Sequence, residues 1–158
     1  MKVLLINGSP RKEDACAEAA RRAAARLEAA GIETGLFWPV KTENLLCSGC
    51  GACQGRGMCV ADPRAGELLR AAGDCEALLF VVPVGLFGPG VDVRNLMERV
   101  ALLNEKQDGR PLSGKCAAAL PVGRRSARGD AQLDALLKKL GLPRPDGALA
   151  RLLEEENA

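Results

Sequence analysis

Val3-Leu4-Leu5-Ile6 is an unbroken apolar run that stops at Asn7-Gly8-Ser9-Pro10, which predicts a strand buried on both faces and closed by a tight loop. The period then changes. Ala20, Ala24 and Leu27 recur on one helical face, Asp14 stands where a cap belongs, and Gly31 lies where the helix must stop. Thr34 to Val40 predicts a second strand with Pro39 at its end. From about residue 41 to residue 62 no period is sustained, and four cysteines and several glycines mark an insertion loop.

Glu67 to Ala72 predicts a short helix, and Ala77-Leu78-Leu79-Phe80-Val81-Val82-Pro83 predicts a strand that Pro83 ends. Gly85-Leu86-Phe87-Gly88-Pro89-Gly90 connects it to a helix in which Val93, Leu96, Met97 and Val100 follow the i, i+3, i+4, i+7 spacing. Lys115 to Val122 predicts a fourth strand, Gly123 to Gly129 a basic loop, and Leu133, Leu136, Leu137 and Leu140 a further amphipathic helix. Strands alternating with helices predict a doubly wound parallel α/β sheet with ligands at the strands' C-terminal ends. Those ends carry Gly8 to Lys12, Pro83 to Gly90 and Gly123 to Arg128. Only Gly141-Leu142-Pro143-Arg144-Pro145 precedes the last helix of Leu149, Leu152 and Leu153, so a fifth strand should be short or missing.

At 158 residues, the chain is expected to form a single domain over 1–158. A net charge of +2 and 3% aromatic residues exclude the basic footprint and stacking platform of a nucleic-acid binder. No apolar run approaches the roughly 20 residues that span a bilayer, and the N-terminus lacks a signal-peptide layout, so no membrane partner and a cytoplasmic location are expected. In that compartment thiols stay reduced, which turns an odd total of seven cysteines toward metal or redox work. Histidine is absent, which excludes histidine bases, histidine metal ligands and Ser-His-Asp triads.

Cys47, Cys50, Cys53 and Cys59 form a C-x2-C-x2-C-x5-C run that is too crowded to pair as unstrained disulfides. Such spacing suits a small thiolate-bound centre, iron–sulfur first. Zinc is the rival, although structural zinc usually joins two knuckles across a longer spacer, and unliganded thiols are the third reading. Cys16, Cys75 and Cys116 lie in or beside helix and strand patterns and read as small buried residues.

Met1-Lys-Val-Leu-Leu-Ile-Asn-Gly-Ser-Pro-Arg-Lys12 resembles the flavodoxin-like NADPH-dependent FMN reductases, especially their iron–sulfur flavoprotein branch, and the resemblance runs to about Leu140. It implies a flavodoxin-like fold with a cysteine-rich insertion after the second strand. It implies FMN, with Ser9, Arg11, Lys12, Ala15 and Cys16 at the phosphate, where a helix start offers free N–H groups and a favourable dipole. Pro83, Val84, Gly85, Leu86, Phe87 and Gly88 would lie along the flavin ring, with Arg124 and Arg125 beside it. The resemblance also implies a [4Fe–4S] cluster on Cys47, Cys50, Cys53 and Cys59, NADPH use, an electron donor or acceptor as partner, and a homodimer or tetramer.

Two departures stand out. Asp14, Ala15 and Cys16 occupy the places of the family's glycine, asparagine and threonine, and Gly85 replaces a tyrosine. Asp14 as a helix cap would satisfy the N–H groups a phosphate uses. The function expected is that of a redox protein or small oxidoreductase passing electrons between FMN and the cluster. The alternative is a flavin-free flavodoxin-like module that carries a cluster or metal on its cysteine loop. No G-x-G-x-x-G nicotinamide fingerprint follows a strand.

Overall fold

The computed structural model describes residues 1–39, 47–124 and 126–157. In chain order the elements are β1 (Lys2–Asn7), α1 (Ala15–Ala29), β2 (Glu33–Phe37), α2 (Arg64–Ala72), β3 (Ala77–Gly85), β4 (Gly88–Pro89), α3 (Val91–Lys106), β5 (Cys116–Gly123), α4 (Ala127–Lys139) and α5 (Gly147–Asn157). β1 lies between β2 and β3, and β5 flanks the other side of β3, all in parallel. The short β4 folds back antiparallel on the end of β3.

The continuous apolar runs are explained by two buried faces. Leu4, Ile6, Leu78, Phe80 and Val82 point to the side covered by α2, α3 and α4. Val3, Leu5, Leu79 and Val81 point to the side covered by α1 and α5. Alternate residues of a strand face opposite ways, so a sheet buried on both sides needs an apolar residue at every position. Ala17, Ala20 and Ala24 let α1 approach closely, and Phe80, Leu5 and Ile6 are almost wholly excluded from water. Burying each such large side chain contributes about 1.5–3 kcal/mol before chain entropy is counted.

Several sequence boundaries shift. β3 does not end at Pro83 but continues to Gly85, with Pro83 opposite Val122 of β5. The ring is tolerated because its missing N–H faces the β1 side, where β1 has already finished at Asn7 opposite Val81. β4 fills that vacated side, and Gly90 N–H donates to the Pro83 carbonyl at 2.9 Å. α2 starts at Arg64 rather than Glu67. β2 ends at Phe37, and Val40, the last residue of the expected strand, lies outside the described residues. The basic stretch after β5 is only partly loop, because Ser126 caps α4 by accepting from Gly129 N–H. No strand forms between Gly141 and Asp146, where one backbone bond, from Ala117 N–H to the Pro143 carbonyl, joins the segment to β5.

Candidate redox site

The C-terminal ends of β1, β3 and β5 are locked together by glycines. Gly8 N–H donates to the Val81 carbonyl at 2.7 Å, and a Cβ on Gly8 would stand 2.8 Å from that same oxygen. Gly123 has φ +114°, and a Cβ there would meet the Val84 carbonyl at 2.7 Å. Arg124 N–H donates to that carbonyl at 3.0 Å. Neither position accepts a side chain without moving backbone. The structure therefore brings Ser9, Pro83, Val84 and Arg124 to one edge of the sheet, as the strand pattern predicts. Arg125 lies outside the described residues.

Gly85 to Gly88 is a tight hairpin, with Val84 opposite Pro89 and Gly85 opposite Gly88. Its tip presents Leu86 and Phe87 to solvent, Phe87 at 88% exposure. Gly88 is buried against the Gln132 side chain of α4. This end of the fold is an open apolar surface and not an enclosed pocket. A cavity of about 240 Å³ lies elsewhere, between β5, α4 and the chain around Arg144. Another, of about 510 Å³, lies between α3 and α4.

The β1–α1 loop is satisfied from within. Asn7 accepts from Ser9 N–H at 3.1 Å and donates to the Arg11 carbonyl at 3.3 Å. Arg11 N–H donates to the Ser9 hydroxyl at 3.2 Å. That hydroxyl donates to the Asp14 carboxylate, whose other oxygen accepts from Ala17 N–H at 2.9 Å. Burial opposes ionisation of Asp14, but the Ser9 hydroxyl, the Ala17 and Cys16 N–H groups and the Arg11 charge outweigh it, and its pKa falls. Arg11, Lys12 and Ala15 are exposed, while Cys16 is buried. Burial, aided by the Asp14 charge, pushes the Cys16 thiol up to about 12. As it stands this loop does not fit a phosphate dianion, because its hydroxyl and capping N–H already serve a carboxylate. The cavity beside it, lined by Ser9, Arg64 and Asp92 among others, holds only about 10 Å³.

Cys47, Cys50, Cys53 and Cys59 are all free thiols on one loop. Gly49, Gly51, Gly55 and Gly57 between them all have positive φ, so the backbone winds through turns that other residues resist. The loop has an attached half and a free half. Cys53 packs against the core on the α2–α3 side. Gln107 donates to the Gly57 carbonyl at 3.1 Å, and a Cβ on Gly66 of α2 would lie 3.1 Å from that carbonyl. Cys47 and Cys50 are exposed. Among the described residues no three Cys, Asp or Glu side chains converge closely enough to hold a metal ion. The donor set itself, four reduced thiols in thirteen positions, suits an iron–sulfur cluster.

The loop's exit is anchored by a charge cluster that sequence reasoning missed. Asp62 is buried and accepts from Arg64 Nε at 2.7 Å, Arg64 Nη2 at 2.5 Å and Arg99 Nη1 at 3.1 Å. Asp62-Pro63 signals a turn, but nothing in the spacing pairs Asp62 with an arginine on another helix. Among the remaining thiols, burial raises the pKa of Cys75 and of Cys116. Both read as structural.

A flavodoxin-like fold with a cysteine-rich stretch after β2 is thus defined. The family model for NADPH-dependent FMN reductase matches residues 1–146, and the chain belongs to that family. The iron–sulfur flavoprotein of Methanosarcina thermophila is 30% identical over 78% of this chain and 63% of its own length. This chain spans a little over three-fifths of that relative and of a second iron–sulfur flavoprotein, from Methanocaldococcus jannaschii. Among solved structures, an NADH:FMN oxidoreductase in its apo form superposes with a TM-score of 0.65 at 16% identity, over 99% of this chain and 86% of the other. An archaeal flavodoxin superposes with a TM-score of 0.60 at 12% identity, over 99% and 92%.

Proposed function

We propose that this protein is a redox carrier or small oxidoreductase that holds a [4Fe–4S] cluster on Cys47, Cys50, Cys53 and Cys59. Its electron partner is a flavin, FMN by family, at the C-terminal edge of the sheet. The observation that carries the reading is the cysteine loop: four free thiols interleaved with left-handed glycines, half attached to the α2–α3 face. A cluster supplies single-electron transfer, and a flavin converts between one- and two-electron steps.

The chain's own residues have defined tasks in this reading. Cys53 and Cys59 sit in the half of the loop that Gln107 and the Asp62 cluster fix, and Cys47 and Cys50 lie in the exposed half. Cys47, Cys50, Cys53 and Cys59 would be the ligands of the cluster, and its binding would add to the stability of this loop. The positive-φ turns at Gly49, Gly51, Gly55 and Gly57 would let backbone N–H groups approach the sulfur atoms of a bound cluster, where hydrogen bonds would tune its potential. Leu86 and Phe87 offer exposed apolar surface for a ring. The electron donor or acceptor is a small molecule or protein that reaches this open edge, and the protein works as a homodimer or tetramer in the cytoplasm.

A second reading is favoured by Asp14 and Gly85: a flavin-free module in which the same fold presents a cluster or metal. The visible spectrum of anaerobically purified protein separates the two. Structured blue flavin bands with a releasable fluorescent chromophore, above broad cluster absorbance, support the first. Cluster absorbance without flavin replaces it with the second, and a colourless zinc protein removes both cluster readings.

A further inference from the structure

We propose that Asp14 makes the β1–α1 loop discriminate against the flavin 5′-phosphate, so that FMN holds no affinity advantage over riboflavin at this edge. The proposal rests on the flavin reading above. A phosphate at a helix start is held by hydroxyls and unpaired N–H groups. Here Ser9 is the buried hydroxyl of the loop, and it donates to the Asp14 carboxylate. The Ala17 N–H is taken by the same carboxylate. Arg11 N–H is turned inward onto Ser9, and Asn7 fixes that arrangement from both sides.

Ala15 brings no donor, and Cys16 is a buried thiol. The anion position at the start of α1 is therefore filled by a charge the chain carries itself. An incoming dianion must displace that carboxylate and then sit beside it, and like charges repel most where water is excluded. Arg11 and Lys12 do not offset this fully, because both are exposed and act through solvent. The flavin ring meets no such obstacle, since the Gly85–Gly88 hairpin is on a separate, open loop.

The test is calorimetric titration of riboflavin and of FMN into the full chain as isolated, for wild type, Asp14→Asn and Asp14→Gly. Asparagine keeps a capping oxygen without the charge, and glycine clears the space while remaining an acceptable cap. Wild type should bind the two flavins within about threefold of each other, and both variants should bind FMN at least ~10-fold tighter with riboflavin unchanged. Wild type preferring FMN by ~100-fold, or variants without any gain for FMN, overturns the proposal. If neither flavin binds any form, the flavin reading fails by itself. The role of Asp14 is then decided by thermal unfolding with inorganic phosphate against chloride at equal ionic strength. Phosphate should stabilise the variants and not the wild type; no phosphate effect on the variants overturns it.

Discussion

Oδ2 of Asp62 lies 3.1 Å from Nη1 of Arg99, across 37 positions of sequence, with both side chains buried. This contact joins the exit of the cysteine loop to the middle of α3, and Arg64 completes it from the first turn of α2. Removing one partner of a buried pair strands the other charge, which typically costs about 3–5 kcal/mol. Because Arg64 stays bonded to Asp62, Arg99→Leu should lower unfolding free energy in urea by less than that, about 1–3 kcal/mol. A change below ~1 kcal/mol would mean that Arg64 alone holds Asp62 and that the contact to α3 contributes little.

Acid should weaken the fold through the same kind of group. For Asp62, burial opposes ionisation, but hydrogen bonds and charge from Arg64, with Arg99 adding its charge, outweigh it and lower the pKa. The Asp14 pKa is lowered too. A carboxyl whose folded pKa lies below its unfolded value contributes stability above the unfolded value, near 3.9, and loses it as pH falls through the folded one. Urea midpoints should hold from neutral pH to about pH 5 and then drop. Asp14→Asn should shrink that drop, and an identical acid profile would place the effect elsewhere.

The glycines at the sheet edge should differ in tolerance. Gly8→Ala drives a Cβ to 2.8 Å from the Val81 carbonyl, and Gly123→Ala drives one to 2.7 Å from the Val84 carbonyl at φ +114°. Each should cost about 1–3 kcal/mol, with Gly123 the worse for its added backbone strain. A Cβ on Gly85 would meet no atom within 4 Å, and the residue has no positive φ. Gly85→Tyr, which restores the aromatic of the resembling family, should leave stability within ~0.5 kcal/mol and tighten flavin binding. Equal losses at all three positions would contradict the open edge.

Thiol chemistry should separate the cysteines into two sets. In metal-free protein, iodoacetamide followed by peptide mass mapping should label exposed Cys47 and Cys50 first. Buried Cys16, with its pKa pushed up to about 12, should resist, because its thiolate fraction at pH 8 is only about 10⁻⁴. Fast labelling of Cys16 would show that α1 does not seal it.

The parts legible in sequence were those governed by local pattern. Val3 to Ile6 announced a strand buried on both faces, and Ala77 to Val82 announced a strand. The prolines at 143 and 145 announced that any strand after α4 would be short or missing, and none forms between Gly141 and Asp146. Pro83 misled because its effect depends on which side of β3 its absent N–H faces, and that depends on where β1 ends. Asp14 as a cap was readable from its place before α1, whereas the Ser9 hydroxyl turning to it was not. Asp62 and Arg99 meet only once α2 and α3 lie side by side. The cysteine spacing was plain, but its division into an attached and an exposed half required Gln107, Gly57 and Gly66 in space.

The most direct test of the account is the iron and acid-labile sulfide content of protein isolated anaerobically, for wild type and Cys50→Ser. Wild type should contain about four iron and four sulfide per chain, and Cys50→Ser should lose most of both while the fold persists. Wild type containing zinc or no metal, or Cys50→Ser retaining the same iron, would contradict it.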